Sequence, residues 1–343
     1  MKKIIRLSTV LVLVICMTCA FSVSYTAATV SRAYEPVSSI SDKFSDDSDT
    51  YTSYEGMAVG DRYCYSVKIK KDSSKEYGQY AKLLRTDLKT NKTVTLKVSG
   101  SSEYVDDDKN RFKNYFLGHA NDVVSTTLDD KYTTLFVACG KDAKVKSPYD
   151  IVQLRVNNSG NDPTVEFVKG YKVTDKSFNV YGIGISKKDL KNNKLEFILK
   201  NGSKTRYKVY KVSTSLSNYD GTKVINSSNV TTKNSCYLNL ESYSDYNIQG
   251  IGVNSGVLYV PMTKKNHSVI IKYNLNNFSF NSSSPKTYSS SDVISIRSKT
   301  YSTFEIESCG ISNSTGRLYF NANRNNSHDM IGYVTNGSGQ AVK

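Results

Sequence analysis

The sequence has no tryptophan, only five prolines and only three histidines in 343 residues. It has 26 tyrosines and 12 phenylalanines and is rich in Val, Ile, Thr and Ser. Because aromatic and β-branched residues favour strands over helices, we exclude an all-α fold. Hydrophobic residues make up 38% of the chain and charged residues 22%, which also excludes a disordered composition.

Local enzyme motifs are absent as well. There is no GxSxG nucleophile elbow, no HExxH pair and no phosphate-binding GxxxxGK[ST] loop, so the sequence gives little support to nucleophilic catalysis. No CxxC pair occurs, which argues against a structural zinc site. Four cysteines follow the N-terminal leader, and either disulfides or free buried thiols are compatible with their spacing: Cys64, Cys139, Cys236 and Cys309.

The N-terminal residues 1–28 have the features of a secretory signal peptide. Lys2, Lys3 and Arg6 precede an apolar run, and small residues at 26–28 offer a cleavage site. The run is shorter than the roughly 20 residues that a membrane span requires, and no later stretch is apolar enough to be a span. We therefore expect a secreted, extracellular protein without a transmembrane segment, whose mature chain starts near Thr29.

The charge of the mature chain suggests its partners. The leader contains three basic residues and no acidic one, so its removal lowers the formal net charge from +15 to +12. For an exported protein we expect contact with the bacterial envelope or its anionic cell-wall polymers rather than with nucleic acid. The alternative is that scattered lysines only keep a tyrosine-rich surface soluble.

One pattern recurs along the chain. A hexapeptide of small and apolar residues is followed by a turn and an apolar strand, and the five hexapeptides lie at 54–59, 118–123, 180–185, 248–253 and 306–311. Their spacing is 64, 62, 68 and 58 residues. Each repeat contains about four short strands, which is typical of one blade of a β-propeller. An ordinary two-sheet sandwich is the alternative.

These repeats predict an all-β fold, a single five-bladed β-propeller of four-stranded blades. The expected blades lie near 54–100, 116–170, 178–230, 246–300 and 303–336. The last repeat is one outer strand short, and the Ser/Asp-rich segment 29–53, otherwise a spacer, is expected to supply it and close the ring.

Several segments also resemble a known family. EGMAVGDRYCYSVKIKK, the GHAND segment at 118–122, NIQGIGVNSGVLYV and FEIESCGISNSTGRLYFNANRNN resemble, in order and spacing, segments of helveticin J-like large (class III) bacteriocins. The resemblance implies a secreted antibacterial protein with a propeller-like fold that acts on the envelope of competing bacteria. It supplies no catalytic residues.

The first residue of each inner strand is polar. Equivalent positions in a propeller lie at one level around the channel, so we expect these side chains to form a ring at one mouth. A neighbouring pair and an arginine in an Asn-rich turn extend the candidate ligand site, whose members are Glu55, His119, Asn121, Asp122, Tyr181, Gln249, Glu307 and Arg324.

The ring is compatible with three roles. It can be simply solvated, it can bind a sugar, a cation or a peptide end, or its carboxylates and imidazole can work as an acid/base pair or as metal ligands. The expected function is a non-enzymatic, bacteriocin-like protein that binds wall glycans, with no cofactor other than a possible divalent cation. The alternative is a metal-dependent propeller hydrolase or lactonase with its site at the channel mouth.

Overall fold

The computed structural model describes residues 27–70, 80–113, 116–127, 132–140, 147–160, 162–173, 179–192, 194–203, 206–215, 223–224, 234–281, 283–324 and 328–336. About two thirds of these residues lie in strands, and the helical part consists of single 3₁₀ turns at Asp107–Lys109, Leu190–Asn192, Glu241–Tyr243 and Leu275–Asn277. In these ranges we find no helix long and apolar enough to cross a membrane. The predicted signal peptide falls outside the described residues, apart from Ala27 and Ala28.

The strands follow one another in antiparallel order. After β1 (Thr29–Ser41) and the small hairpin β2 (Lys43–Phe44) and β3 (Asp47–Thr50), a first sheet contains β4 (Ser53–Val59), β5 (Tyr63–Lys70), β6 (Tyr80–Asp87), β7 (Lys92–Thr95), β9 (Val105–Asp106) and β10 (Arg111–Lys113). β8 (Lys97–Ser99), which lies between β7 and β9 in the sequence, is not part of this sheet. The second sheet is β11 (Asp122–Thr127), β12 (Tyr132–Ala138), β13 (Ile151–Asn157) and β14 (Thr164–Lys172), and β8 pairs in parallel with β14.

The remaining sheets repeat this plan. The third contains β15 (Gly182–Asp189), β16 (Lys194–Ser203), β17 (Arg206–Ser215) and β19 (Ser235–Leu238), and β18 (Lys223–Val224) pairs with β14. The fourth contains β20 (Asn247–Ile248), β21 (Gly252–Asn254), β22 (Val257–Lys264), β23 (His267–Asn274) and β25 (Asp292–Arg297), while β24 (Thr287–Tyr288) pairs with β19. The fifth contains β26 (Phe304–Ile311), β27 (Leu318–Arg324) and β28 (His328–Thr335).

The inner strands surround a common axis. β4 contacts β11 and β26, β11 contacts β15, β15 contacts β21, and β21 contacts β26, which closes a circle. The backbones approach closely because these strands are rich in glycine; a Cβ atom on Gly56 would lie 2.4 Å from Asp122 Cα. The described chain is therefore a β-propeller.

The hydrophobic core has the same circular arrangement. It consists of five clusters, each between two neighbouring sheets, rather than one central mass. Both faces of the middle strands are buried, so β5, β6 and β22 read as continuous runs of buried residues. Cys64, Cys139, Cys236 and Cys309 are all buried free thiols.

The N-terminal strand joins the two ends of the chain. Residues 33–41 of β1 pair antiparallel with β28, and residues 29–32 pair in parallel with β25 of the fourth sheet. The segment predicted as a spacer is thus a strand that covers the free edge of β28. Ile40 is buried against Tyr54, Leu84 and Ile331, which anchors this strand to the first sheet.

Two sheets extend beyond the repeat boundaries expected from the sequence. The first repeat was expected to end near residue 100, but its outermost pairing with β6 comes from Arg111–Lys113. The third was expected to end near 230, but its outer strand is Ser235–Leu238. In the first case the apolar strand at 93–98 divides between two sheets: Lys92–Thr95 stays with β6, and Lys97–Ser99 pairs with β14.

Candidate functional site

The candidate site is the mouth of the channel at which the inner strands begin; we call it the ring mouth and define it by Glu55, His119, Tyr181, Gln249 and Glu307. Two of its carboxylates lie in matching distortions of the backbone. The pairing of β4 with β5 is interrupted between Tyr54 and Met57, and that of β26 with β27 between Ile306 and Ser308. Bulges of this kind redirect side chains, and here they contain Glu55 and Glu307.

Asn321 holds both bulges. This residue of β27 is fully buried, its side-chain amide donates to the carbonyl of Glu55, and its side-chain oxygen accepts from the N–H of Ser308 at 2.9 Å. Both ends of one amide are therefore used to position two adjacent inner strands. Sequence reasoning missed Asn321, although a polar residue within the apolar strand LYFNA was a signal.

Glu55 and His119 come together as predicted neighbours in the ring. His119 Nδ1 lies 3.7 Å from Glu55 Oε1, and the Ser53 hydroxyl donates to the same carboxylate. The Glu55 side chain is nearly buried, whereas about a quarter of the His119 side chain is exposed, at 24%. This arrangement places an imidazole between solvent and a carboxylate.

Gln249 and Tyr181 also lie in the ring mouth but have other partners. The Gln249 amide donates to Glu305 Oε1 at 2.6 Å, and the Asn179 amide donates to the Tyr181 hydroxyl at 3.3 Å. Both ring residues are half-buried. Glu305 thus adds a carboxylate that sequence reasoning did not include.

Asp122 does not belong to the exposed ring, which corrects its predicted role. It is fully buried, and its Oδ2 accepts from the N–H groups of Ile183 and Ile251, each at 2.9 Å. Its Oδ1 accepts from the Ser308 hydroxyl at 2.7 Å. All available directions around the carboxylate are taken by the protein, so Asp122 connects inner strands instead of binding a ligand.

A buried lysine accompanies Asp122. Lys200 is fully buried, and its Nζ lies 3.5 Å from the carbonyl of Gly250. Burial lowers the pKa of Lys200 to about 7, and the negative charges of Asp122 and Glu307 oppose that shift. Burial likewise raises the pKa of Asp122 to about 7, opposed by the hydrogen bonds it accepts. Together Asp122, Lys200 and Ser308 form a buried polar cluster between the inner strands.

Two other predicted residues have structural contacts. Asn121 packs on Gly140, where a Cβ atom would lie 1.8 Å from Asn121 Oδ1. Arg324 was expected to contact ligand, but it stacks over the ring of Tyr301 at 4.6 Å and donates to the Tyr301 and Ser39 hydroxyls. Its guanidinium connects β27 to β1, so its predicted place among the ring residues is wrong.

In the part of the chain that the structure describes, no three His, Cys, Asp or Glu side chains converge as metal ligands. Lys200 lies close enough to Glu307 and Asp122 for their charges to interact.

One histidine outside the ring has well-defined partners. His267 contacts the Tyr246 hydroxyl through Nδ1 and the Ser295 hydroxyl through Nε2, both at 2.7 Å. Burial and the charge of Arg297 lower its pKa. The trio joins β23 to β25 and to the turn before β20.

No family model and no curated protein matches the sequence. Similar solved structures include an aldose sugar dehydrogenase from Streptomyces coelicolor in its PQQ-bound form, 10% identical with a TM-score of 0.39, covering 88% of this chain and 98% of that one. An exo-β-1,3-galactanase from Phanerochaete chrysosporium is 9% identical with a TM-score of 0.44, covering 88% and 66%. A GH43_1 enzyme from Xanthomonas citri complexed with xylotriose is 6% identical with a TM-score of 0.43, covering 88% and 89%.

These comparisons correct the expected function. The prediction of a non-enzymatic bacteriocin is not supported, since the similar structures are named as sugar-active enzymes; at identities of 10% or less this likeness extends to the fold alone. The resemblance to helveticin J-like proteins remains a prediction, since no family model tests it.

Proposed function

We propose that the chain is an exported five-bladed β-propeller hydrolase that cleaves glycans at the ring mouth. One observation carries the proposal: Glu55 and Glu307 occupy bulges of adjacent inner strands, and Asn321 holds both backbones. Hydrolysis of a glycosidic bond typically uses two carboxyl groups, one to protonate the leaving oxygen and one to activate water or attack the sugar.

Both glutamates have polar partners at the ring mouth. Glu307 lies close enough to Lys200 for their charges to interact. Glu55 accepts a hydrogen bond from Ser53 and lies beside the partly exposed His119. In the proposed reaction one of the two carboxyl groups protonates the leaving oxygen and the other activates water or attacks the sugar.

Half-buried groups around the mouth suit a hydroxyl-rich substrate. Tyr181 offers a ring face and a phenolic hydroxyl, while the Gln249–Glu305 pair offers both donors and acceptors. Aromatic rings pack on the apolar faces of sugars, and amides and carboxylates bond their hydroxyls.

The five-bladed architecture is part of the proposal. It is supported by the five interface clusters of the core and by the pairing of β1 with β28. Export and association with the bacterial envelope are supported by the leader composition and by the net charge of +12 after its removal. Anionic wall polymers would concentrate such a protein near envelope glycans.

The test is a hydrolysis assay with single glutamate variants. Purified residues 29–343 are incubated with bacterial cell walls and with a panel of soluble polysaccharides, and new reducing ends are measured. Glu55→Gln and Glu307→Gln should each reduce the rate at least about a hundredfold, the range expected for loss of one acid/base group.

Glu166→Gln is the matched control. Glu166 is 39% exposed in a surface ion pair with Arg155 and lies away from the ring mouth, so its variant should keep the wild-type rate. Wild-type rates in both ring variants, or an absence of reducing ends from every substrate, would overturn the proposal. Melting curves of each variant establish that the fold is intact.

A further inference from the structure

The positive charge of the mature chain is concentrated in one repeat. Residues 179–240 contain ten lysines and one arginine against two aspartates and one glutamate, a formal net charge of +8. All other residues after the leader together carry only +4 of the total of +12. The third sheet, which is built from this segment, is therefore the basic sector of the propeller.

Four lysines of this sector lie where β15 ends and β16 begins. β15 continues for four residues beyond Ile185, whereas β4 and β26 end at the residues equivalent to it in the repeat, Val59 and Ile311. Residues 187–189 and 194–196 pair with each other in this extension, so it projects past its neighbours as a hairpin. We call it the lysine hairpin and define it by its exposed lysines: Lys187, Lys188, Lys191 and Lys194.

The two acidic residues of the hairpin leave most of this charge in place. Asp189 accepts a 2.9 Å hydrogen bond from the Asn192 amide, and this bond, together with the charges of the neighbouring lysines, lowers the pKa of Asp189. Glu196 lies opposite Lys187 in the strand register, but its Oε2 pairs with Lys211 Nζ at 3.2 Å. Since four lysines meet only two acids, and one of these has a partner outside the hairpin, an excess of positive charge faces solvent.

The lysine hairpin lies at the opposite end of the channel from the ring mouth. Lys187 follows Tyr181 of the ring mouth by six residues, and because a strand rises about 3.3 Å per residue, about 20 Å separate the two along the strand. Lys188 lines the cavity of about 250 Å³ at the ends of the inner strands, together with Val253 and Ile311. A polymer bound by the hairpin therefore leaves the ring mouth free.

The residue types in the hairpin indicate the chemistry of its partner. Lysine ammonium groups are compact point charges on flexible stems, which match a flexible chain of separate anionic groups, whereas arginine suits planar, bidentate pairing. The hairpin contains no arginine. Among the polyanions that an exported protein meets, a linear wall polymer joined by phosphodiesters presents such charges at regular intervals.

We propose that the lysine hairpin is the docking surface for a linear phosphodiester polymer of the bacterial wall. Its ammonium groups contact successive phosphates, and the charge of the surrounding sector adds a general attraction. The inference rests on the proposed association with the envelope. It is independent of the proposed hydrolysis, because the ring mouth lies at the other end of the channel.

The experiment compares two triple variants of equal net charge. Fluorescently labelled inorganic polyphosphate is titrated with residues 29–343, and anisotropy gives the affinity at a series of salt concentrations. Lys187→Gln combined with Lys191→Gln and Lys194→Gln should lower the affinity at least about tenfold at about 0.05 M salt. The slope of log affinity against log salt should become shallower by about 2 to 3, because each lost phosphate contact removes about 0.7–0.9.

The matched control removes three exposed lysines of the N-terminal segment and the first sheet, Lys43, Lys89 and Lys92. Their replacement by Gln gives the same net charge, and the affinity should fall less than about threefold because salt screens charges that lie far from the bound polymer. Equal losses in the two variants, or full affinity of the hairpin variant, would overturn the proposal. Tighter binding of a single-stranded oligonucleotide of equal charge would also overturn it, by assigning the surface to nucleic acid.

Isolated cell walls test the source of the polymer. Wild-type protein should sediment with intact walls and much less with walls whose phosphodiesters have been cleaved by hydrofluoric acid, and the hairpin variant should be retained poorly by both. Glu55→Gln and Glu307→Gln should be retained like wild type, so loss of hydrolysis and loss of docking are separate results. Equal retention of wild-type protein on intact and treated walls would contradict a phosphodiester partner.

Discussion

The carboxylate of Asp122 accepts a 2.9 Å hydrogen bond from the backbone N–H of Ile251, 129 residues further along the chain. The same oxygen accepts from Ile183, and the other accepts from Ser308, so one side chain of the second sheet bonds to the third, fourth and fifth. Ser308 Oγ also lies 3.1 Å from the carbonyl oxygen of Met57 in the first sheet. The inner strands are thereby linked through a single buried group.

Replacing Asp122 by Asn should strongly destabilise the protein. An amide nitrogen cannot accept hydrogen bonds, so two buried donors lose their acceptor, and Lys200 loses a charge partner. We expect the free energy of unfolding to fall by about 3–5 kcal/mol, the cost of breaking a buried pair. Denaturant titration measures it, with the exposed Asp162→Asn, whose side chain is 73% exposed, as the control. Equal stability of the two variants would contradict the structural role of Asp122.

The buried Lys200 should give a recognisable pH dependence. Its pKa of about 7 in the folded protein lies below the ordinary value of 10.5, so above pH 7 the unfolded chain binds the extra proton. The free energy of unfolding therefore rises with pH above 7, and it falls again as the pH is lowered towards 7. Wild-type protein should gain free energy of unfolding from pH 7 to 9 relative to Lys200→Met, measured by denaturant titration. Parallel pH profiles for the two proteins would rule this out.

Lys68 should be essential to the junction between the chain ends. It is fully buried on β5 and forms ion pairs with Asp42, just after the closing strand, and with Asp329 on β28, each at 2.5 Å. Lys68→Met leaves two carboxylates without their cation, and we expect a loss of about 3–5 kcal/mol in the free energy of unfolding.

A double variant checks that the uncompensated charge is the cause. Burial raises the pKa of Asp329, so a neutral side chain is tolerated there, and Lys68→Met with Asp329→Asn should recover part of the loss. Lys97→Met, at a surface pair with a 55% exposed lysine, serves as control and should cost at most about 1 kcal/mol. A double variant no more stable than Lys68→Met would contradict this account.

Association with anionic walls should depend on salt. The net charge of +12 after leader removal attracts polyanions, and such attraction is screened over about 8 Å at physiological salt and about 3 Å at 1 M. Retention of the protein on isolated walls, measured by sedimentation, should therefore decrease steeply between about 0.05 M and 1 M salt. The same retention across this range would assign the affinity to specific contacts instead of charge.

The candidate site was only partly predictable. Equivalent repeat positions correctly suggested that Glu55 and His119 lie together, because a circular repeat brings like positions to one level. The same reasoning placed Asp122 in the exposed ring. Asp122 lies three residues after His119, and alternation along the strand turns its carboxylate towards the axis, where groups of three inner strands donate hydrogen bonds to it. Asn321 and Lys200 escaped notice because they belong to second strands, not inner ones.

What the sequence alone determined is the local pattern: strands instead of helices, glycine-rich inner segments, and a repeat that is one strand short at its end. These follow from residue propensity and period, which act over a few neighbouring positions. Only the tertiary structure decided that the acidic segment after β1 contacts buried cations, since Asp42 and Lys68 meet across the join of the first and last sheets. Pairing of that kind depends on which surfaces come together when the ring closes, and no local sequence pattern encodes contacts between elements that are far apart in the chain.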